Sequence, residues 1–464
     1  VIGATIRHLY YCDHVDHVHL AAGDDELQDL PDFIDVKKMS EAALKNVYDG
    51  FSGLVEPNLF KLTNEAIGHG ITVGVLQYGK PNPAFLGHMH KTGTWFSARK
   101  SYVQQQELAK LLMSEDGTTK RPWREFKKAA QGIVGAYNER WLKTEYNTAI
   151  RAARMGSRWQ EFAANSDLYP NLEYLPSRAA TPREEHKPFY HVIRAFDDPF
   201  WATHYPPSDY NCVCGAEPTD EDETPLPEVQ PKPAPGLDHN PGQTEQVFSD
   251  SHPYTVQLQE EKADIDAIDQ DGERLQREAD YQTLRLSPSF MDALNKTDSL
   301  QSQFPTADHE ELAATFDYSR SAYYDLNRWL RGNFRGARPD QEQYFGAFTR
   351  VLSSLLNKLP KYTKRVYRGD DLPQSVIDGY RDALSRKVPI QHKGFTSTSA
   401  SANKAFEGPQ RFVIKSKTGR KIKELSDFKS EEEVLFDAGT WFLVEKMETK
   451  DGLLWIYLKE TKSR

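Results

Sequence analysis

Proline locks its own φ near −65° and removes a backbone donor, so a dense run of it cannot be a helix interior or a central strand. This chain has such a run near its middle. Pro218, Pro225, Pro227, Pro231, Pro233, Pro235, Pro241 and Pro253 fall between Glu217 and Tyr254, interleaved with acidic and small residues. The stretch reads as an extended linker. It divides 464 residues, more than a single core usually supports, into two folded bodies. Only Cys12, Cys212 and Cys214 are available for cross-links, and the last two are too close in sequence to staple a fold, so the architecture does not rest on disulfides. A formal charge of −10 opposes nucleic acid as the main ligand, because neutralising phosphates needs concentrated Lys and Arg. No run approaches the roughly 18 apolar residues of a membrane span, so no membrane partner is expected.

Before the linker the apolar spacing is helical over Ser40 to Tyr48, Ser101 to Met113 and Trp123 to Arg154, the last carrying Ile133, Val134, Tyr137, Trp141, Tyr146 and Ile150. The stretch Gly68-His69-Gly70-Ile71-Thr72-Val73-Gly74 has the wrong glycine spacing for a dinucleotide fold, and no phosphate-binding Gly-x-x-x-x-Gly-Lys-Ser/Thr occurs. Neither a dehydrogenase nor a P-loop enzyme is supported. After the linker, Ala263 to Leu286 is charged and reads as a solvated connecting helix, and Asp308 to Leu359 is again helical. Strand-like runs follow at Arg365 to Tyr367, His392 to Ser397, Arg411 to Lys415, Glu433 to Phe436, Trp441 to Met447 and Leu453 to Leu458. Helices first and strands afterwards predict an α+β domain. The expected organisation is multidomain: a mostly α body over 1–217, a Pro-rich linker over 218–256, a connecting helical segment over 257–287 and an α+β domain over 288–464.

Three short sequences carry the chemistry: Val366-Tyr367-Arg368-Gly369, Gly394-Phe395-Thr396-Ser397-Thr398-Ser399 and Ser430-Glu431-Glu432-Glu433-Val434-Leu435. Each alone is ordinary; their order and spacing are not. Together they resemble the Arg, Ser-Thr-Ser and Glu-x-Glu motifs of the arginine-directed ADP-ribosyltransferases, the branch that includes clostridial binary toxins and vertebrate ecto-transferases. Upstream, Tyr323-Tyr324-Asp325-Leu326-Asn327-Arg328-Trp329-Leu330-Arg331 resembles the helix and "N-x-x-L-R" signature of the same family. The resemblance covers roughly Pro288 to Arg464. It implies the ADP-ribosyltransferase fold, with N-terminal helices and a two-sheet β core, NAD+ as co-substrate, and mono-ADP-ribosylation of a protein side chain with NAD glycohydrolysis as a side activity.

Breaking the nicotinamide–ribose bond creates an oxocarbenium-like transition state, which a carboxylate close to the ribose stabilises. Glu433 matches that position. Glu431 lies two residues earlier and is expected on the same face, since side chains alternate with period two along an extended segment. By the resemblance Glu431 orients and deprotonates the acceptor nitrogen, and Glu rather than Gln there favours an arginine acceptor over asparagine or cysteine, with lysine and DNA bases left open. Arg368 would grip the NAD phosphates with its planar guanidinium, and Ser397 would hold Glu433 and the nicotinamide ribose, with Thr398 and Ser399 supporting the strand. Arg368, Ser397, Glu431 and Glu433 form the expected catalytic set; Asn327, Tyr367, Gly369, Phe395 and Thr398 complete the expected cofactor site. Phe395 either packs near the nicotinamide or fills the core. Phe428, in the loop Ser426-Asp427-Phe428-Lys429-Ser430, resembles the family's acceptor-recognition aromatic; the alternative is that it caps the core beneath the loop.

A second set of residues runs from Trp141-Leu142-Lys143-Thr144-Glu145-Tyr146-Asn147 through Leu172-Glu173-Tyr174, Arg183-Glu184-Glu185-His186 and Asp197-Asp198-Pro199-Phe200-Trp201 to Pro206-Pro207-Ser208-Asp209-Tyr210-Asn211-Cys212-Val213-Cys214. It resembles the head-morphogenesis domain of the phage Mu minor head protein F family, over about Leu30 to Pro218. Val213 stands where members often carry Arg, and the Asp that usually precedes Arg-x-x-His is replaced near Ala179 and Ala180; these departures bear on chemistry rather than fold. Thiolate and imidazole suit zinc, so His186, Cys212 and Cys214 with His191 or His204 form a zinc alternative. Free thiols in a tight turn are the preferred expectation, because C-x-C is a strained chelate. The run Cys12-Asp13-His14-Val15-Asp16-His17-Val18-His19 reads as a histidine-rich strand or turn rather than a metal site. If both resemblances hold, the chain is a capsid-associated minor head protein carrying a transferase. Its partners would then be phage portal or capsid proteins and a host target protein, and its place the virion and then the host cytoplasm. Two rivals remain: a secreted bacterial polymorphic toxin, and a structural head protein with an inactive transferase.

Overall fold

The computed structural model describes residues 27–77, 82–179, 181–332 and 338–462. Cys12 and the histidines at 14, 17 and 19 lie outside these residues. The chain divides into two compact units, residues 1–79 with 85–276 and residues 80–84 with 277–464.

The first unit is built on long helices, Val36–Tyr48, Pro57–Gln77, Pro83–Lys110, Trp123–Val134 and Leu142–Ala164, the last two joined by a π turn at Gly135–Trp141. Helix Pro57–Gln77 lies close against helix Leu142–Ala164 because glycines face it. A Cβ on Gly74 would stand 2.2 Å from the Ile150 carbonyl oxygen, so the glycines of the 68–74 run serve helix packing. Three short strands, β1 (Asn171–Leu175), β2 (Ile193–Ala195) and β3 (Gly215–Thr219), form an antiparallel sheet in the order β2-β1-β3. Beside it a cluster of Trp159, Phe189, Phe200, Trp201, Tyr205, Cys212 and Cys214 is buried.

The expected linker over 218–256 is not an extended tether. Leu237, Val247, Phe248, Tyr254 and Leu258 belong to the buried core of the first unit, and Phe248 stacks on Phe96 at 4.3 Å between ring centroids. The Tyr254 hydroxyl donates to the buried Glu145 carboxylate at 3.0 Å, which also pairs with the fully buried Lys100. The prolines mislead because two of them start helices rather than break them. Pro241 and Pro253 occupy the first turns of Pro241–Thr244 and Pro253–Glu260, where no backbone N–H is needed. The next helix, Ile265–Leu284, is not wholly solvated either, since Ile268, Leu275 and Leu284 are buried.

In the second unit helices Pro288–Thr297, His309–Asp317, Tyr323–Leu330 and Pro339–Lys358 precede the sheet. Asp308 and Glu311 form a capping box at the start of the second of these. Eight strands follow: β4 (Arg365–Asp370), β5 (Pro389–His392), β6 (Thr396–Ser399), β7 (Gln410–Lys415), β8 (Arg420–Lys421), β9 (Glu433–Phe436), β10 (Thr440–Lys450) and β11 (Leu453–Thr461). Their order is β5-β10-β11-β7-β4-β6-β9-β8, with β11 and β7 the parallel pair. Among the described residues the strands of the halves β5-β10-β11-β7-β4 and β6-β9-β8 share only the pairing of Tyr367 with Ser399, so the expected two-sheet core is a sheet nearly parted at that seam. The predicted strand His392 to Ser397 is therefore two strands in different halves. The chain crosses at Gly394, where a Cβ would stand 2.5 Å from Asn327 Oδ1.

Candidate functional site

The seam between the halves is where the motif residues meet. On β9, Glu433 pairs in register with Ser399 of β6, and Leu435 pairs with Ser397, so these four side chains share one face of the sheet. Across the seam, Arg368 on β4 donates from Nη1 to the Ser397 carbonyl at 2.8 Å, and from Nε and Nη2 to Asp370 Oδ2 at 2.9 and 2.7 Å. A guanidinium has five N–H donors; three are engaged here, and the other two have no partner among the described residues.

Glu433 is buried, 4% exposed. Burial pushes its carboxyl up to about 6 from an ordinary 4.5, and the Glu431 charge adds to the rise. Hydrogen bonding from Ser397 and Ser426 and the Arg368 charge oppose it. The Ser426 hydroxyl lies 3.4 Å from Glu433 Oε2. Glu431 is not on the strand. It ends a 3-10 turn, Lys429–Glu431, and Glu432 follows at φ +50°, so period-two alternation does not bring the two acids together. A turn does, and its backbone is held from β6: the Ser399 hydroxyl donates to the Glu431 carbonyl at 2.7 Å and the Ala400 N–H to the Glu432 carbonyl at 3.0 Å. Burial raises Glu431 as well. Phe428, at the head of that turn, is 48% exposed.

Beneath Glu433 lies a group of buried polar side chains. Tyr318, 1% exposed, is pushed up by burial and by the Glu433 charge. Its hydroxyl accepts a hydrogen bond from Asn327 Nδ2 at 3.0 Å, while Asn327 Oδ1 is buried with no hydrogen-bond partner. Phe395 is buried and meets the Tyr318 ring edge-on at 5.5 Å, within the apolar cluster that also holds Leu326, Leu330 and Leu435. On the other side of Arg368, His392 shares hydrogen bonds with Tyr380 Oη at 2.7 Å and Thr396 Oγ1 at 3.0 Å. Burial and the charges of Arg368 and Arg331 hold it down to about 3, so it is neutral at physiological pH.

The remaining expected cofactor residues are placed as follows. Thr398 is buried and donates its hydroxyl to the Val434 carbonyl at 2.6 Å, within the sheet. Gly369 is buried where a Cβ would stand 1.9 Å from the Phe406 carbonyl oxygen. Tyr367 is half-buried at the seam pair. Tyr318, Ser426, Asp370 and His392 were not singled out by the sequence reading. Of these, only Asp370 carried a signal, its position two residues beyond Arg368 on the same strand, which puts both side chains on one face.

In the first unit, His186, Cys212 and Cys214 come together, their ligand atoms all within 4.8 Å of one another. The two other expected histidines do not join them. His191 is paired with Glu173 at 2.6 Å, and His204 is shared between Thr203 Oγ1 and the Pro231 carbonyl. Among the described residues no helix is long and apolar enough to cross a membrane.

The second unit's motifs and topology define the class. Residues 257–464 match the family model for NAD:arginine ADP-ribosyltransferase, and this part of the chain is an ADP-ribosyltransferase domain. The match begins about thirty residues before Pro288, within the expected connecting segment. The chain is 37% identical over 141 residues, 30% of its length, to a protein of Mycobacterium avium described as an NAD(+)–arginine ADP-ribosyltransferase, and covers 16% of it. It is 30% identical over 152 residues, 32% of its length, to the NAD(+)–protein-arginine ADP-ribosyltransferase of Serratia proteamaculans, and covers 32% of it. A different relative accounts for the remaining resemblance: the chain is 37% identical over 75 residues, 16% of its length, to a protein of Escherichia phage Mu described as capsid assembly protein F, and covers 17% of it. The chain thus spans less than a third of each of these relatives. It joins a segment similar to the Mu F protein to an ADP-ribosyltransferase domain.

Proposed function

We propose that this chain is a capsid-associated minor head protein of a phage whose C-terminal domain transfers ADP-ribose from NAD+ to an arginine of a host protein after delivery into the cell. The observation that carries the enzymatic part is the meeting of Arg368, Ser397 and Glu433 at the β4-β6-β9 seam. In this reading Glu433 stabilises positive charge developing on the ribose, and Ser397 and Ser426 hold its carboxylate. The two free N–H groups of Arg368 face phosphate oxygens while Asp370 and the Ser397 carbonyl fix the guanidinium plane. Glu431 takes the proton of the acceptor nitrogen, and its place on a turn next to the exposed Phe428 leaves it open to a protein substrate. The similarity to the Mu F protein supports the capsid part.

The test is incubation of the full chain with labelled NAD+ and host lysate, followed by mass spectrometry of the labelled proteins. The reading expects label on arginine that disappears in Glu433→Gln. Label on cysteine or asparagine would overturn the acceptor, and neither transfer nor NAD+ hydrolysis would overturn the enzyme. Immunodetection of the chain in purified virions tests its place; a chain found only in culture supernatant would favour a secreted toxin instead.

A further inference from the structure

Outside the transferase site, the first unit brings two sulfurs and one imidazole nitrogen to a single point, and we infer that His186, Cys212 and Cys214 bind one zinc ion through Nδ1 and the two Sγ atoms. All three residues are buried, with exposures of 7, 5 and 6%. Cys212 Sγ lies 3.5 Å and Cys214 Sγ 3.4 Å from the same nitrogen, His186 Nδ1. That nitrogen has either one lone pair or one hydrogen, so it satisfies one thiol and leaves the other competing for the same position. A cation between the three atoms satisfies all of them. With Zn–S of about 2.3 Å and Zn–N of about 2.0–2.1 Å, tetrahedral angles separate sulfur from nitrogen by about 3.5 Å, the spacing found here.

The Cys214 backbone N–H also donates to Cys212 Sγ at 3.4 Å, so that sulfur is held in place as an acceptor. No disulfide joins the pair. The chelate does not depend on the strained C-x-C pair alone, since it is closed by a histidine from the 3-10 turn Glu184–Phe189. Asp209 is not a fourth ligand: its carboxylate is taken by Arg183 and by the Tyr210 N–H. The fourth position of the ion falls to a solvent molecule. Bound in this way, zinc ties the turn after Tyr210 to the 184–189 turn across an aromatic cluster, a structural role for residues that no catalytic step uses.

The experiment is elemental analysis of the full chain, produced with zinc supplementation and purified under reducing conditions without chelator. About one zinc per chain is expected, falling below about a tenth in the Cys212→Ser/Cys214→Ser double variant. Loading the chelated protein with Co2+ reads the ligands directly: a sulfur-to-cobalt charge-transfer band should appear and weaken in each single Ser variant. Should the double variant fail to fold, Cys214→His keeps a donor at that position and should retain zinc with a weaker cobalt–sulfur band. Folded wild-type chain with less than about a tenth of a zinc, both thiols free or joined as a disulfide by mass spectrometry, overturns the assignment. So does a full equivalent of zinc retained in the folded double variant.

Discussion

Glu433 sets the pH behaviour of the C-terminal domain, because a carboxyl shut away from water holds its proton longer than an exposed one. Its rise from 4.5 to about 6 means that the ionised form needed for transfer grows as pH rises through 6. Transfer rate is therefore expected to climb between about pH 5 and 7 with a midpoint near 6; a profile flat across that window would remove the assignment of Glu433 as the ionised group. The same rise works against stability. The folded state binds the proton more tightly than the unfolded chain, so this contribution is fully present below about 4.5 and is lost as pH rises through 6, about 2 kcal/mol in all. Glu433→Gln keeps the volume and removes the charge. It is expected to abolish transfer and yet raise the urea midpoint of the domain at pH 8, with little change at pH 4. A lower midpoint at pH 8 would mean that the carboxylate is a net stabiliser. Arg368→Lys tests the guanidinium fork, since one ammonium cannot serve Asp370, the Ser397 carbonyl and a phosphate together; KM for NAD+ should rise by about tenfold or more, and a KM within about twofold of wild type would separate Arg368 from phosphate binding. Arg368, Ser397 and Glu433 were legible in the sequence because each sits in a short motif with polar residues at strand positions. Tyr318 and Ser426 were not, because a buried hydroxyl whose partner lies on another element looks in sequence like any tyrosine of a helix or serine of a loop.

At the scale of elements, what the sequence conceals is how segments of similar pattern are routed. The alternating pattern identifies β9 and puts Glu433 on it, but it also extends the strand back to Glu431, which lies in the preceding turn. A left-handed residue, Glu432 at φ +50°, is the step between turn and strand, and nothing in a run of three glutamates announces it. The pattern from His392 to Ser397 reads as one strand because its residues suit a pleated surface throughout; the break shows only in the packing of Gly394 against Asn327. Proline density misled over 218–256 for the opposite reason, since composition cannot distinguish a proline in an extended tether from one that starts a helix. Phe248 gives the test. If the segment were a tether, Phe248→Ala would cost almost nothing; buried against Phe96, it should destabilise the first unit by about 3–5 kcal/mol, read as a lowered denaturation midpoint. In the second unit Gly369→Ala places a methyl 1.9 Å from a backbone oxygen, so β4 must shift, and about 1–3 kcal/mol of destabilisation is expected. A variant as stable as wild type would show that the 406 backbone yields freely.

For the molecule as a whole, the division into two units separates two kinds of ligand. The cores are distinct: one gathers Phe60, Phe96, Tyr254 and Leu258, the other Phe290, Phe348, Phe395 and Leu435. The proposed zinc belongs wholly to the first unit and the proposed NAD+ site wholly to the second. A ligand that binds only the folded form stabilises its own unit, by about 2.7 kcal/mol when its concentration is a hundred times Kd. Scanning calorimetry of the full chain is accordingly expected to resolve two transitions. Removing metal with a chelator should lower one of them, and a non-hydrolysable NAD+ analogue should raise the other. The chelated protein should still transfer ADP-ribose at its original rate, because the proposed metal ligands belong to the first unit and Arg368, Ser397, Glu431 and Glu433 to the second. If the chelator moved the transition that the analogue stabilises, or stopped transfer while that transition stayed in place, the two sites would be coupled, and a metal in the first unit would have to be counted as part of the enzyme.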